Sequence, residues 1–163
     1  MDADARKTAL RMIPYELSVL TAATEESVGC GTINGVSQMS LEPPLLAPGV
    51  KGDTKSLVNL KAGGTMALSF MGAGQGDLAF AFFRDTDLDG DVFVTTDARI
   101  PVERTPGGAV VLLAAPVWAE LTFRGTVEIG DHAVVVVEVT DVGLRQEGPE
   151  PLTLKELGLN YGG

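Results

Sequence analysis

The stretch GCGTINGVSQMSLEPPLLAPGVKGDTKSLVNLKAGG, residues 29–64, decides how the rest of the chain is read. It sets small and hydroxyl side chains, a Pro-Pro step and three lysines between apolar segments, the make-up of a ligand-holding loop system rather than of a core strand. Thr32, Asn34, Ser37, Gln38 and Ser40 offer side-chain donors and acceptors, while Gly29, Gly31 and Gly35 let the backbone come close to a flat ligand. Pro43-Pro44 imposes an extended bend. After KGDTKS (residues 51–56) the pattern predicts an amphipathic helix over residues 54–62, closed by Gly63-Gly64. Thr54, Lys55 and Ser56 at its entrance suit a phosphate, because free N–H groups and the helix dipole both favour an anion. On the residues alone a second reading stays open, that of a turn-rich β segment whose hydroxyls only satisfy its own backbone.

Outward from this stretch, strand signals dominate. Residues 3–13 have helical apolar spacing ended by Pro14, and ELSVLTAAT (16–24) reads as the first strand. Glu25-Glu26-Ser27 turns the chain into a second strand with residues 32–38 as a loop at its far end, and LLAPGV (45–50) is a third strand. TMALSFMG (65–72) is a strand of alternating type, and QGDLAFAFF (75–83) a helix with Leu78, Ala79, Phe82 and Phe83 on one face. Between residues 84 and 108 only FVTT and RIPV hint at strands. The signal returns in AVVLLAAP (109–116), VWAELTFRGTVEI (117–129) and AVVVVEVTDVGLR (133–145), the last two joined by a tight Gly130-Asp131 turn. The uninterrupted VVVV run is expected to be buried on both faces. The pattern is that of a mainly β barrel with a few short helices, one domain over residues 1–163, without repeats.

Composition narrows the function. Twelve basic against 22 acidic residues give a net charge of −10, which repels a nucleic-acid backbone and gives anionic membranes little to attract. An anionic ligand must then be held by a local positive pocket, for which Lys51, Lys55 and Lys61 are the expected cluster. No apolar run is long enough to span a membrane, and the charged opening MDADARKTAL lacks the apolar stretch of a signal peptide, so a cytoplasmic location is expected. The single cysteine, Cys30, excludes an intrachain disulfide framework, and the single histidine, His132, excludes a histidine-rich metal site. A positive mean hydropathy of +0.20 implies apolar surface beyond one small core.

Five pieces in order carry a family resemblance: LRMIPYELSVLTA (10–22), GTINGVSQMSLEPPLL (31–46), QGDLAFAF (75–82), GDH (130–132) and PLTLKELGLNYGG (151–163). With them the chain resembles the flavin reductase-like, FMN-binding split-barrel proteins, in particular the flavoredoxin-like branch. The resemblance implies a Greek-key split β-barrel and FMN as cofactor, with NADH or NADPH as electron donor. It implies that Thr32, Ile33, Asn34, Ser37 and Gln38 line the isoalloxazine edge and that Lys51, Thr54, Lys55 and Ser56 hold the phosphate. His132 would stand on the flavin or nicotinamide side, and Tyr161 would be a flavin-side contact. It further implies a homodimer in which both subunits line the flavin pocket. The chain departs from the family at Gly52-Asp53, where a basic or hydroxyl residue is common. It departs again at Leu159 and Asn160, where an aromatic and a histidine commonly stand. Asp53 beside a phosphate is unfavourable unless it caps the following helix and faces away.

Other constellations are weaker. A lone histidine is ordinarily structural, although a neutral imidazole can bond a cofactor. Residues 85–91, DTDLDGD, match the opening of a calcium loop, but its twelfth position is Thr96 instead of a bidentate Glu, so they read as a solvated acidic turn and no metal is expected. No serine sits in a nucleophile elbow, and no Gly-x-Gly-x-x-Gly fingerprint is present, so a nicotinamide would stack directly on the flavin. The leading expectation is an NAD(P)H-dependent FMN reductase. The alternatives are an FMN-bound electron carrier serving a redox partner protein and a barrel that has lost its cofactor.

Overall fold

The computed structural model describes residues 1–84 and 86–162. The chain begins with α1 (Ala3–Arg11), capped by Asp2, whose carboxylate accepts the Ala5 N–H at 2.9 Å. It then runs β1 (Ser18–Ala23), β2 (Val28–Ile33), β3 (Val36–Ser40), β4 (Leu45–Lys51), α2 (Lys55–Lys61), β5 (Thr65–Phe70) and α3 (Gly76–Ala81). The remainder is β6 (Asp87–Asp89), β7 (Val92–Val94), β8 (Arg99–Arg104), β9 (Val110–Leu112), β10 (Val117–Val127) and β11 (His132–Leu144). Seven strands form one antiparallel sheet in the order β2-β1-β5-β10-β11-β4-β3, and β6 to β9 form a four-stranded meander.

The large sheet curls into a half-barrel, and α2 closes it. Leu57 and Leu60 of α2 join Leu20, Val50, Met66, Leu68, Val135 and Val137 in the core inside the curl. A second core on the other side of β1 gathers Val19, Phe82, Phe93, Val102, Leu112 and the C-terminal Leu152. All six residues of β1 are therefore buried, with Leu20 and Ala22 in one core and Val19 and Ala23 in the other. The meander docks through β9, where the Leu112 N–H donates to Ser69 Oγ at 2.9 Å and the Thr21 hydroxyl donates to the Val110 carbonyl.

Several sequence expectations are corrected. Residues 32–38 are not a loop: Thr32 and Ile33 belong to β2, and residues 36–38 open β3, which pairs with β4. The strand expected third is thus the fourth, and Pro43-Pro44 lie in the turn of the β3–β4 hairpin. The VVVV run alternates, with Val135 and Val137 fully buried and Val134 48% exposed, because β11 has a core on one face only. Burial on both faces is found instead in β1, along its whole length, and in the middle of β5. The segment 84–108 holds three strands; its acidic stretch forms the β6–β7 hairpin, with Gly90 at φ +60° and Asp89 paired to Arg99 at 3.2 Å. Asp85, first residue of that calcium-like motif, lies outside the described residues, as does Gly163.

Asn59 ties α2 to the β1–β2 corner. This side chain, 4% exposed, donates to the carbonyls of Ala22 at 2.9 Å and Ser27 at 3.1 Å, and its oxygen accepts the Ser27 hydroxyl at 2.8 Å. Asn59→Ala leaves the buried Ala22 carbonyl without this donor, at about 1–3 kcal/mol, while the exposed Ser27 can turn to water. Urea unfolding is expected to give a lower midpoint at unchanged slope; a midpoint equal to wild type would contradict this anchoring role.

Candidate functional site

A cavity of about 660 Å³ opens between the end of β2, the end of β4, the first turn of α2 and the segment after α3. That volume falls in the range of small-molecule sites, roughly 300–1,000 Å³. Two long-range bonds build its β2 side. Thr32 receives α3 by donating its N–H to the Phe82 carbonyl at 3.2 Å and its hydroxyl to the Ala79 carbonyl at 2.6 Å. These bonds bring Phe82, Phe83 and Arg84 into the wall. The Thr32 hydroxyl proton is thereby committed, leaving that oxygen to accept from a ligand. Cys30 lies deeper, its sulfur against the Thr86 hydroxyl. Burial pushes the thiol up to about 11, opposed by the Thr86 bond and the nearby Lys55 charge and reinforced by Asp87. At neutral pH it stays a protonated, unreactive thiol.

The β4 side is set by the β10–β11 hairpin. His132 stands opposite Lys51 in register, and the Gly52 N–H donates to the Asp131 carbonyl at 3.0 Å. His132 Nδ1 lies 3.2 Å from the Asp131 carboxylate, and that hydrogen bond and charge hold the Asp131 carboxyl below its usual range. The contact orients the ring and leaves Nε2 for a ligand. Tyr161 reaches the same cavity from the C-terminal segment, its ring edge-on to Tyr15 at 5.3 Å and 71°.

Of the residues singled out from sequence, Thr32, Ile33, Asn34, Lys51, Thr54, Lys55, Ser56, His132 and Tyr161 all line this cavity. Ser37 and Gln38 do not; both lie exposed on the edge strand β3, where Gln38 Nε2 donates to the Ser40 carbonyl at 3.2 Å. Lys61 sits at the far end of α2, paired with Glu128, so it leaves the expected cationic cluster. Its place is taken by Arg84, which the sequence reading missed although a lone cation directly after two aromatics was a usable signal. Cys30, Phe82, Phe83 and Thr86 were missed as wall residues too.

Among the described residues the local field is positive in a chain of net charge −10: Lys51, Lys55 and Arg84 line the cavity against one carboxylate, Asp53. Asp53 neither caps α2 nor turns away. It pairs with Lys51 at 3.2 Å, while Thr54 is the cap, accepting the Leu57 N–H at 3.4 Å and donating to the Lys51 carbonyl at 2.9 Å. With seven residues, α2 has a small dipole, and its cap is already satisfied. An anion here would be held by side chains, chiefly Lys55, which has no ion pair among the described residues, and Ser56, 4% exposed on the wall. Arg84 is only loosely held, 3.7 Å from Asp97. The donor set therefore fits a ligand with a flat ring among Ile33, Phe82 and Phe83 and a phosphate at Lys55 and Ser56.

Residues 10–161 match the model of the flavin reductase like domain. A protein of Rhizobium meliloti named stachydrine N-demethylase reductase subunit Stc3 is 27% identical over 140 residues, which cover 85% of this chain and 58% of that protein. The chain thus spans little more than half the length of that relative. An NADH:FMN oxidoreductase of Rhodococcus qingshengii is 27% identical over 144 residues, covering 86% of this chain and 70% of that one. Among solved structures, the NADH:FAD oxidoreductase SgcE6 of Streptomyces globisporus, in complex with NAD and FAD fragments, superposes with a TM-score of 0.73 at 25% identity. The superposition covers 93% of this chain and 88% of that one.

Proposed function

Because the chain belongs to the flavin reductase-like domain family, we propose that it is an NAD(P)H-dependent flavin reductase that binds FMN in the cavity between β2, β4 and α2. The observation that carries this reading is the cationic wall: among the described residues, three cations against one carboxylate around a ring-sized cavity, in a chain otherwise strongly acidic. Lys55 and Ser56 hold the phosphate, with Lys51 and Thr54 beside them, and Thr32, Ile33 and Asn34 border the ring. When bound, the flavin supplies the ring that accepts a hydride from the nicotinamide. The protein's work is to hold both rings, exclude water with Phe82 and Phe83, and present His132 Nε2 to the ligands, its ring fixed by Asp131. The place of action is the cytoplasm, where reduced nicotinamide is available; among the described residues no helix is long and apolar enough to cross a membrane.

Mixing catalytic amounts of protein with excess FMN and NADH or NADPH without oxygen tests the activity. Bleaching of many flavins per protein supports the reductase. Bleaching of one bound equivalent that is then passed to a protein acceptor supports instead a carrier serving a redox partner. No bleaching with either donor would overturn the reading.

The functional unit is a homodimer. Val127 lies opposite Val134 on the outer face of the β10–β11 hairpin, both exposed, with Ile129 92% exposed at its tip and Met39 and Leu41 exposed on and beside β3. Such apolar surface favours association. A dimer also gives Ser37 and Gln38 a route to a flavin, from one protomer's edge strand to its partner's cavity. Light scattering across a dilution series is expected to give twice the chain mass, with FMN occupancy falling as dimers dissociate. A monomer with full FMN occupancy would refute the shared site.

A further inference from the structure

A second cavity, of about 580 Å³, lies between the end of α1 and the C-terminal segment, and Tyr161 belongs to its wall as well as to that of the first. One aromatic ring thus stands where the two spaces meet, and its position decides how far the first is closed on this side. Up to Leu159 the C-terminal segment is fixed by main-chain bonds. The Leu152 N–H donates to the Met71 carbonyl at 2.8 Å, the Leu154 N–H to the Tyr15 carbonyl at 3.0 Å and the Leu159 N–H to the Leu154 carbonyl at 2.9 Å. Glu156 adds a side-chain latch, accepting the Gly74 N–H at 2.8 Å. Among the described residues no main-chain hydrogen bond holds residues 160–162. Tyr161 is held by its ring, edge-on to that of Tyr15 with centroids 5.3 Å apart and planes at 71°. Beside it Gly162 approaches Leu10 so closely that a Cβ would stand 3.2 Å from Leu10 Cβ. The two supports differ in what stands behind them. Leu10 belongs to α1, which buries none of its residues. Tyr15 packs against the core that holds Val19, Phe82 and Phe93, and the Leu17 N–H two residues on donates to the Leu152 carbonyl at 2.9 Å.

We propose that Tyr15 is a positioning residue for the flavin site: it lies in the wall of the second cavity and acts on the first by holding Tyr161 in place. Past Leu159 the placement of the tail depends on side-chain contact, and the contact rooted in the core is that of Tyr15. With the pair formed, the Tyr161 ring closes the first cavity on its C-terminal side. With the pair broken, the tail is free to swing about the turn at Gly158, which has φ +66°, and the cavity opens toward the second space and to water. A bound ring then loses one wall, so its affinity falls although no residue touching it has been changed. The effect on binding rests on the flavin reductase reading, while the contact between the two tyrosines is measurable without any flavin.

The chain has two tyrosines, so in tyrosine-labelled protein the Tyr161 ring resonances stand alone once Tyr15 is replaced. NMR spectra without flavin, and FMN titrations, are recorded for wild type, Tyr15→Phe, Tyr15→Leu, Tyr161→Ala and Tyr15→Leu with Tyr161→Ala. Tyr15→Phe keeps the ring; Tyr15→Leu keeps an apolar side chain against the core and removes the ring. The Tyr161 resonances are expected at displaced positions in wild type and in Tyr15→Phe, and at the positions of an unstructured tyrosine in Tyr15→Leu. FMN affinity is expected to match wild type in Tyr15→Phe and to fall about two- to tenfold in Tyr15→Leu, the range an edge-on aromatic pair supports. The double variant is expected to bind FMN as Tyr161→Ala does, because Tyr15 has nothing left to act through. Should Tyr15→Leu unfold too readily for titration, Tyr15→Met carries the same expectations. Tyr161 resonances unmoved by Tyr15→Leu would overturn the proposal, as would FMN binding equal to wild type in that variant. A double variant weaker than Tyr161→Ala would overturn it too, since Tyr15 would then act through the fold at large. Wild type that shows the resonance contrast but binds no FMN keeps the positioning of Tyr161 and loses the flavin reading.

Discussion

Lys55→Glu combined with Ser56→Ala is expected to weaken FMN binding by about a hundredfold and riboflavin binding by no more than about twofold. Each charge-assisted hydrogen bond is worth about 1.5–3 kcal/mol, so loss of two removes about 3 kcal/mol even at the low end, and every 1.4 kcal/mol is tenfold. The selectivity matters more than the size. Lys55 is the cation of this wall without an ion pair among the described residues, whereas Lys51 is already partnered by Asp53. Riboflavin shares the ring but lacks the phosphate, so a loss confined to FMN locates the phosphate at the first turn of α2. Equal losses for the two ligands would mean that the substitutions disturb the ring site or the fold, and the phosphate assignment would fail. Fluorescence quenching titrations at fixed ionic strength suffice, since screening would otherwise shrink the contrast.

Gly29→Ala is expected to be the most damaging single methyl group in the site. A Cβ at Gly29 would stand 2.3 Å from the Ser56 nitrogen, 2.6 Å from the Lys55 carbonyl carbon and 2.8 Å from Ser56 Cα. All three are backbone atoms, so no side-chain rotation relieves the clash; β2 or α2 must move. Overpacking of this kind costs about 1–3 kcal/mol, and for a chain of this size each kcal/mol lowers the thermal midpoint by about 2–4 °C. FMN affinity should fall with it, because the displaced backbone carries Lys55 and Ser56. Gly35→Ala is the control, since nothing lies within 4 Å of a Cβ there, and its midpoint should match wild type. An unshifted midpoint in Gly29→Ala would contradict the close packing of α2 on β2.

That comparison of two glycines shows where sequence reasoning reached and where it stopped. Gly29, Gly31 and Gly35 look alike in sequence as places for close backbone approach, yet at Gly29 the approaching partner is the protein's own helix and at Gly35 nothing approaches. Local signals were legible. The β10–β11 hairpin, the short helix α2 with its Thr54 entrance and Gly63 at φ +81° just beyond its end, and the apolar strand β5 all follow from residues adjacent in sequence. Features set by distant pairing were not. Arg84 joins the cavity because Thr32 bonds the Ala79 carbonyl across 47 residues. Lys61 leaves it because it faces Glu128, and Ser37 and Gln38 fall outside because β3 is a sheet edge. The alternating burial of residues 133–137 could not be read from four consecutive valines, which carry no polar residue to mark the outer face.

The most direct measurement of the central claim is a crystal structure of the protein with FMN bound. The isoalloxazine ring is expected in the cavity bordered by Thr32, Ile33 and Asn34, with phosphate oxygens about 3 Å from Lys55 Nζ and Ser56 Oγ. A flavin seated in the groove between α1 and the C-terminal segment, or one whose phosphate points away from α2, would contradict the account.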